Sequence, residues 1–165
     1  MPVSLQPLDD RHLPGMEEIV ADPEALRFTR IPEPAPPGFA ATWLERYRGD
    51  ERVGFAIEDE SGGFLGLALA PDIYREGREV ELGYIVHPAA RGRGVATEAL
   101  RLLTRWAFEE LGALRAYLFI DTGNGASLKV AERAGYVQEG VLRSVHVKPG
   151  RRADSTLWSR LPTDR

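Results

Sequence analysis

The sequence predicts a mixed α/β fold with about seven strands and about four helices. Three strand-like segments, at 53–57, 64–70 and 79–87, follow one another without a helix between them. A long amphipathic segment at 95–111 comes next, and a nearly continuous apolar segment at 114–120 follows it, as expected for a helix and a buried strand. A run of strands that precedes a helix–strand unit indicates a mixed sheet.

The part of the chain before these strands is predicted to hold one further strand and two helices. Residues 3–8 alternate between apolar and polar side chains, and a helix with Pro14 in its first turn follows them. Asp22-Pro23 interrupts this helical pattern, and the prolines between residues 32 and 37 indicate a stiff, extended loop. A second helix is expected at 39–47.

The remaining turns and caps complete the predicted order of elements. Residues 58–63 are rich in Asp, Ser and Gly and predict the turn of a hairpin between two strands. Asn124 can cap a short helix that follows the 114–120 strand. The segments 137–147 and 155–161 are expected to form a closing hairpin.

Composition and charge exclude several classes of protein. The length of 165 residues suits a single domain, which we expect to span residues 1–165. The absence of cysteine excludes disulfides, thiolate metal sites and a cysteine nucleophile, and three scattered histidines predict no metal site. The net charge of −4 gives no reason to expect nucleic-acid binding. No apolar run approaches the roughly 20 residues of a membrane span, and the N-terminal residues lack a signal-peptide pattern, so we expect a cytoplasmic protein.

The most informative segment is a glycine-rich loop between the 79–87 strand and the long helix. It places two arginines and two glycines, Arg91, Gly92, Arg93 and Gly94, directly before the helix. The first turn of a helix has unpaired N–H groups and the positive end of the helix dipole, and glycines let a ligand approach the backbone closely. With two guanidinium groups beside it, this arrangement predicts a diphosphate site.

Two common diphosphate loops do not fit this segment. The nucleotide-hydrolase loop requires Gly-Lys-Ser/Thr, whereas Val95 and Ala96 follow Gly94 here. The dinucleotide fingerprint requires a third spaced glycine, which this loop lacks. The pattern Arg91-x-x-Gly94-x-Ala96 after a strand instead resembles the acyl-coenzyme-A loop of the GNAT superfamily of N-acyltransferases, whose signature is [QR]-x-x-G-x-[GA].

The resemblance covers the chain from about residue 3 to residue 161. Asn124-Gly-Ala-Ser127 and the segment from Glu139 to Arg143 are similar to the ribosomal-protein (RimJ/RimL-type) branch, and so is Asp22-Pro23 ahead of the proline-rich loop. It implies a mostly antiparallel sheet that splays between its fourth and fifth strands. The gap would admit the pantetheine arm of the acyl donor, which is expected to be acetyl-CoA, while another acyl group such as succinyl stays open.

The resemblance also implies how the donor is held. The backbone of Ile85, Val86 and His87 would pair with pantetheine amides, in the manner of an added strand. The diphosphate would contact the loop residues and the start of the helix, namely Arg91, Gly92, Arg93, Gly94, Val95 and Ala96. Asn124 and Ser127 would lie close to the arm, and a backbone N–H near Val86 or His87 would stabilise the oxyanion.

Two side chains are the candidates for proton transfer. Glu81, which matches the glutamate that relatives use on this strand, is the candidate general base, acting through water, and Glu79 on the same face is the weaker alternative. Many relatives protonate the leaving thiolate with a tyrosine seven residues after the capping asparagine, where this chain has Ala131. Ser127, three residues after Asn124, is the candidate acid, although serine also suits the first turn of a helix for structural reasons.

The acceptor is expected to be a primary amine, with Phe28, Arg30 and Tyr84 as the first residues to inspect in its pocket. An α-amine with a pKa near 7.7–8.0 is roughly a tenth neutral at pH 7, whereas a lysine amine is less than about a thousandth neutral. The ribosomal-protein resemblance favours a protein or peptide N-terminus, by analogy. An amino acid, a polyamine or an aminoglycoside stays open, as does the choice between monomer and homodimer.

A rival interpretation is a non-catalytic acyl-CoA sensor, because the tyrosine of the relatives is missing. A nucleotide-binding regulator is disfavoured because the Gly-Lys-Ser/Thr element is absent. Release of free thiol in the presence of amines distinguishes the enzyme from the sensor.

Overall fold

The computed structural model describes residues 2–165 and contains one seven-stranded sheet in the order β1-β2-β3-β4-β5-β7-β6. The strands are β1 (Ser4–Pro7), β2 (Val53–Glu58), β3 (Phe64–Tyr74), β4 (Glu79–Val86), β5 (Arg115–Asp121), β6 (Val137–Lys148) and β7 (Arg151–Arg160). The α-helices are α1 (Leu13–Val20), α2 (Pro23–Phe28), α3 (Phe39–Arg46), α4 (Val95–Glu109) and α5 (Gly125–Arg133). Neighbouring strands are antiparallel except for β4 and β5, so the predicted fold class is confirmed.

The long helix α4 covers one face of the sheet. Its apolar stripe, formed by Ala99, Leu100, Leu103 and Ala107, is fully buried. On β4, the side chains at alternate positions from Val80 to Val86 pack in the same cluster, as the period of two in a strand requires. We call this side of the sheet the α4 face.

The opposite face is covered by α1 and α3. Met16 and Ile19 of α1 and Leu44 of α3 pack there against Leu67 of β3. The other alternate positions of β4, including Glu81 and Ile85, lie on this side, which we call the α1 face. The two faces of β4 therefore present different chemistry: apolar and tyrosine side chains on one, two glutamates on the other.

The sheet splays between β4 and β5. The parallel register joins only three pairs, from Glu79–Arg115 to Glu81–Tyr117, although both strands run on for several more residues. Beyond Glu81 the edge of β4 no longer meets β5, which leaves the region that we call the gap. The glycine-rich loop lies at the end of β4 where the gap is open.

Three features differ from the prediction by more than two residues. A fifth helix, α2, forms where the sequence suggested an interruption, because Asp22 caps it by accepting a hydrogen bond from Ala25 N–H at 3.0 Å and Pro23 occupies its first turn. Strand β3 runs past Pro71 to Tyr74, since a bulge between Leu69 and Asp72 accommodates the proline. Strand β7 begins at Arg151 rather than at residue 155.

Across residues 2–165, none of the helices has the length and apolar character required to cross a bilayer.

Candidate active site

The start of α4 offers unpaired backbone donors to a ligand. Gly94 is the N-cap with φ 74°, so it contributes no capping side chain. The position of a Cβ on Gly92 or Gly94 has no atom within 4 Å, and both residues have positive φ. The N–H groups that follow, from Val95 and Ala96, belong to the first turn of a 15-residue helix. The loop therefore has the uncapped helix start and the open space that a diphosphate site requires, and the assignment stays a prediction.

The two loop arginines are already engaged by groups of the protein. Arg91 forms ion pairs with Asp22 and, at 2.9 Å, with Glu24, both at the start of α2. Burial raises the pKa of Asp22, but the hydrogen bonds from Arg91 and from Ala25 N–H outweigh it and lower that pKa overall. Arg93 donates to the carbonyl of Ala89 at 3.0 Å. A phosphate at the loop would share Arg91 with the carboxylates of α2, a contact that the sequence did not reveal.

The backbone of β4 distinguishes the three residues predicted to hold pantetheine. His87 N–H donates to Leu65 O of β3 at 2.8 Å, so it is not available to an oxyanion, and that part of the prediction is wrong. In an antiparallel ladder the hydrogen-bonding direction alternates, so Ile85 also faces β3, whereas the N–H and C=O of Val86 point towards the gap. Val86 is thus the residue of the three that can pair with an extended ligand there.

The His87 ring fixes the loop to α1. Ala89 N–H donates to His87 Nδ1 at 3.1 Å, and His87 Nε2 lies 2.5 Å from Glu18 Oε2. Because Nδ1 accepts a hydrogen bond, Nε2 carries the proton that is donated to Glu18. The ring therefore has a structural partner at both nitrogens.

Glu81 lies buried on the α1 face, with its side chain 8% exposed. Arg30 binds both carboxylate oxygens, at 2.5 and 3.2 Å, and this hydrogen bonding raises the pKa of Arg30. The guanidinium also lies 5.9 Å from the centre of the Phe119 ring. Each carboxylate oxygen keeps a second lone pair, so Glu81 can still accept a hydrogen bond from water or an amine.

Tyr84 and Ser127 form a pair on the α4 face. Their hydroxyl oxygens lie 2.6 Å apart, and burial raises the pKa of Tyr84 to about 12. Asn124 caps α5 by accepting a hydrogen bond from Ser127 N–H at 3.3 Å, which sets the position of the serine. Ala131, where many relatives have tyrosine, is fully buried.

The predicted acceptor residues do not all lie together. Arg30 contacts Glu81 on the α1 face, and Phe28 at the end of α2 comes close to Gly123 after β5. Tyr84 points to the other face of the sheet and contacts Ser127, because side chains of a strand alternate. The sheet therefore separates Tyr84 from Arg30 and Phe28.

Comparison with known proteins places this geometry in a family. A family model described as "Acetyltransferase (GNAT) domain" matches residues 3–137. YdaF of Bacillus subtilis strain 168, which carries the provisional name ribosomal N-acetyltransferase, is 32% identical over 100 residues, which cover 61% of this chain and 55% of that protein. The chain thus spans little more than half the length of this curated relative.

Two solved structures share the fold. Spermidine N-acetyltransferase from Vibrio cholerae, in complex with CoA and spermine, superposes with a TM-score of 0.88 at 21% identity and covers 98% of this chain and 96% of that one. RimL, a ribosomal L7/L12 α-N-protein acetyltransferase in complex with coenzyme A, has a TM-score of 0.85 at 19% identity. The alignment covers 98% of this chain and 94% of the RimL chain. The family match extends from β1 to the start of β6 and includes the gap and the loop. This chain belongs to the GNAT acetyltransferase family.

Proposed function

We propose that the protein is an acetyl-CoA-dependent N-acetyltransferase that transfers the acetyl group directly to a primary amine within a ternary complex. The observation that carries the proposal is the gap between β4 and β5, which opens onto the uncapped start of α4. The loop would hold the diphosphate, and Val86 N–H would face the acyl end of the arm. Acetyl-CoA supplies an activated thioester, and the protein supplies orientation and proton transfer.

The hydroxyl pair of Ser127 and Tyr84 is suited to assist the leaving thiolate. Tyr84 O–H can donate to Ser127 Oγ, which leaves the Ser127 proton free to be donated to the thiolate. With its pKa raised to about 12, Tyr84 stays protonated throughout the neutral range and remains a donor. This pair would perform the role that a single tyrosine performs in relatives, from the position of Ser127.

Glu81 is the proposed base on the other side of the gap. It would accept, through a water molecule, the proton that the acceptor nitrogen loses as the amide forms. Arg30 keeps the carboxylate in one orientation, because both of its oxygens are hydrogen-bonded to the guanidinium. The amine would then lose its proton to Glu81 on the α1 face, and the thiolate would receive a proton from Ser127 on the α4 face.

Replacing Glu81 by glutamine is expected to lower kcat by about 100-fold while changing acetyl-CoA affinity by less than about twofold, since general base catalysis contributes about 10²–10⁴-fold to a rate. Steady-state kinetics and calorimetric titration measure the two quantities. Glu79→Gln, on the same face of β4, is the matched control and should leave kcat within about threefold. Equal losses in kcat and in acetyl-CoA affinity for Glu81→Gln would argue against the base role.

For the acceptor we propose an α-amine of a protein or peptide N-terminus. A larger fraction of an α-amine than of a lysine amine is neutral at pH 7, so less proton removal is required from a base that is ion-paired with an arginine. Similarity to YdaF and RimL supports this proposal. A polyamine is the second candidate, supported by the likeness to a spermidine N-acetyltransferase.

A panel of amines tests the function. Acetyl-CoA is incubated with N-terminally free peptides, the same peptides blocked at the N-terminus, spermidine and 1,4-diaminobutane, and free thiol is followed together with product mass. We expect thiol release that depends on an unblocked amine. Tight binding of acetyl-CoA without thiol release from any amine would instead show a sensor.

A further inference from the structure

The last residue of β5, Asp121, lies at the edge of the gap opposite β4. The parallel register pairs Glu81 with Tyr117, and continuing it by four residues brings Asp121 level with Ile85 across the gap. Because Ala116, Leu118 and Ile120 pack on the α4 face, alternation places the Asp121 side chain on the α1 face. This is the face that also carries Glu81, Arg30 and Phe28.

One oxygen of Asp121 has no partner in the protein. The residue is 7% exposed, and its Oδ1 accepts a hydrogen bond from Gly123 N–H at 2.7 Å. Among the described residues 2–165, Asp121 Oδ2 is the single buried side-chain nitrogen or oxygen without a hydrogen-bond partner. Buried carboxylates are normally paired because leaving one unpaired costs a large desolvation free energy. Glu58 follows that rule here, with His12 and Arg11 on its Oε1.

The protein cations of this face are engaged elsewhere. Arg30 is bound to Glu81, and Lys148 Nζ donates to Ile31 O at 2.5 Å. Arg27 stacks over the Phe28 ring, with its Cζ 5.1 Å from the ring centre, and it forms no ion pair with Asp121 in the part of the chain that the structure describes. Phe28 itself approaches Gly123, whose backbone holds Asp121 Oδ1.

A buried carboxylate oxygen without a protein partner is stabilised by a charge-assisted hydrogen bond from a cationic donor such as an alkylammonium group. We propose that Asp121 binds an alkylammonium group of the acceptor on the α1 face of the gap. The inference rests on the proposed N-acetyltransferase function and deepens it, because it names the residue that selects a cationic acceptor. The ammonium can belong to the amine that reacts or to a second amine of the same acceptor.

Replacing Asp121 by asparagine tests the subsite and keeps an oxygen for Gly123 N–H. Losing a hydrogen bond to a charged group costs about 10- to 100-fold in affinity, so KM for 1,4-diaminobutane should rise by that factor while acetyl-CoA affinity stays within about twofold. If KM for n-butylamine rises equally, Asp121 binds the reacting amine; if only the diamine is affected, it binds the second one. Asp154→Asn, a charge change on β7 beside the same end of β5, is the matched control. Unchanged KM values for both amines would overturn the proposal.

Two measurements keep the test independent of turnover. Calorimetric titration of 1,4-diaminobutane into the CoA-saturated protein should show binding that Asp121→Asn weakens by about tenfold or more. Equal affinities, or no binding to the unmodified protein, would contradict the subsite, whereas Asp121-dependent binding without acetyl transfer would contradict only the proposed function. Because Oδ2 has no protein partner, Asp121→Asn should not lower the Tm of the ligand-free protein. A fall of about 4 °C or more would show a structural role for that oxygen and overturn the proposal.

Discussion

A protein carrying Gly94→Val together with Arg91→Gln and Arg93→Gln is expected to lose acetyl-CoA affinity by about 100-fold or more, since each charge-assisted hydrogen bond contributes about 10-fold or more. Gly94 has φ 74°, and a Cβ there points into open space in front of α4, where a diphosphate must approach the N–H groups. Calorimetric titration measures the loss, and the Arg91→Gln and Arg93→Gln single variants apportion it.

The chain offers a matched control for this substitution. Gly38 is the N-cap of α3 with φ 75° and ψ 9°, almost the same as φ 74° and ψ 9° at Gly94, and its Cβ position also has no atom within 4 Å. Gly38→Val therefore introduces the same backbone strain, about 1–2 kcal/mol, without touching the loop. It should bind acetyl-CoA normally. Normal binding by the triple variant would contradict the assignment of the diphosphate site.

The second large effect is expected at the hydroxyl pair of the α4 face. Ser127→Ala should lower kcat by about 100-fold or more, because general acid catalysis contributes about 10²–10⁴-fold. Tyr84→Phe should lower it by about tenfold, and the double variant should lose less than the product of the two, since the residues act as one unit. Acetyl-CoA affinity should change little. Pre-steady-state kinetics with a competent amine separates the chemical step from product release.

The control for the second prediction is a similar pair in the core. Tyr136 and Thr104 also have hydroxyl oxygens 2.6 Å apart, but both residues are buried in the core and neither is a predicted site residue. Tyr136→Phe removes the same kind of buried hydrogen bond and should leave kcat within about threefold, although it lowers stability by about 1 kcal/mol.

Because the pKa of Tyr84 is raised to about 12, its hydroxyl stays protonated below about pH 11, so its ionisation should produce no alkaline loss of kcat there. Equal kcat values for Ser127→Ala and the unmodified protein would contradict the proposal that Ser127 acts as the general acid.

Much of the framework could be predicted because it depends on local pattern. The buried stripe of α4 and the loop before it are encoded in consecutive residues, and the predicted helix starts at Val95 as observed. The short helix α2 escaped prediction because Asp22-Pro23 is equally typical of a turn and of a capped helix start. In the structure Asp22 also forms an ion pair with Arg91, which is distant in sequence, so this contact of the helix start could not be predicted.

The pairing of the site residues could not be predicted, since it requires knowledge of which helix covers each face of β4. Alternation puts Tyr84 and Glu81 on opposite faces of β4, but their partners Ser127 and Arg30 are distant in sequence and could not be identified from it. Asp121 escaped notice because an aspartate before Thr-Gly resembles an ordinary turn residue. Only its burial and its unpaired oxygen distinguish it.

The most direct measurement is a crystal structure of the protein grown with coenzyme A. The proposed function predicts diphosphate oxygens about 2.7–3.2 Å from the backbone nitrogens at the start of α4, and a pantetheine amide paired with Val86 between β4 and β5. Coenzyme A bound elsewhere, or a gap closed by β4–β5 hydrogen bonds beyond Glu81 in that complex, would contradict it.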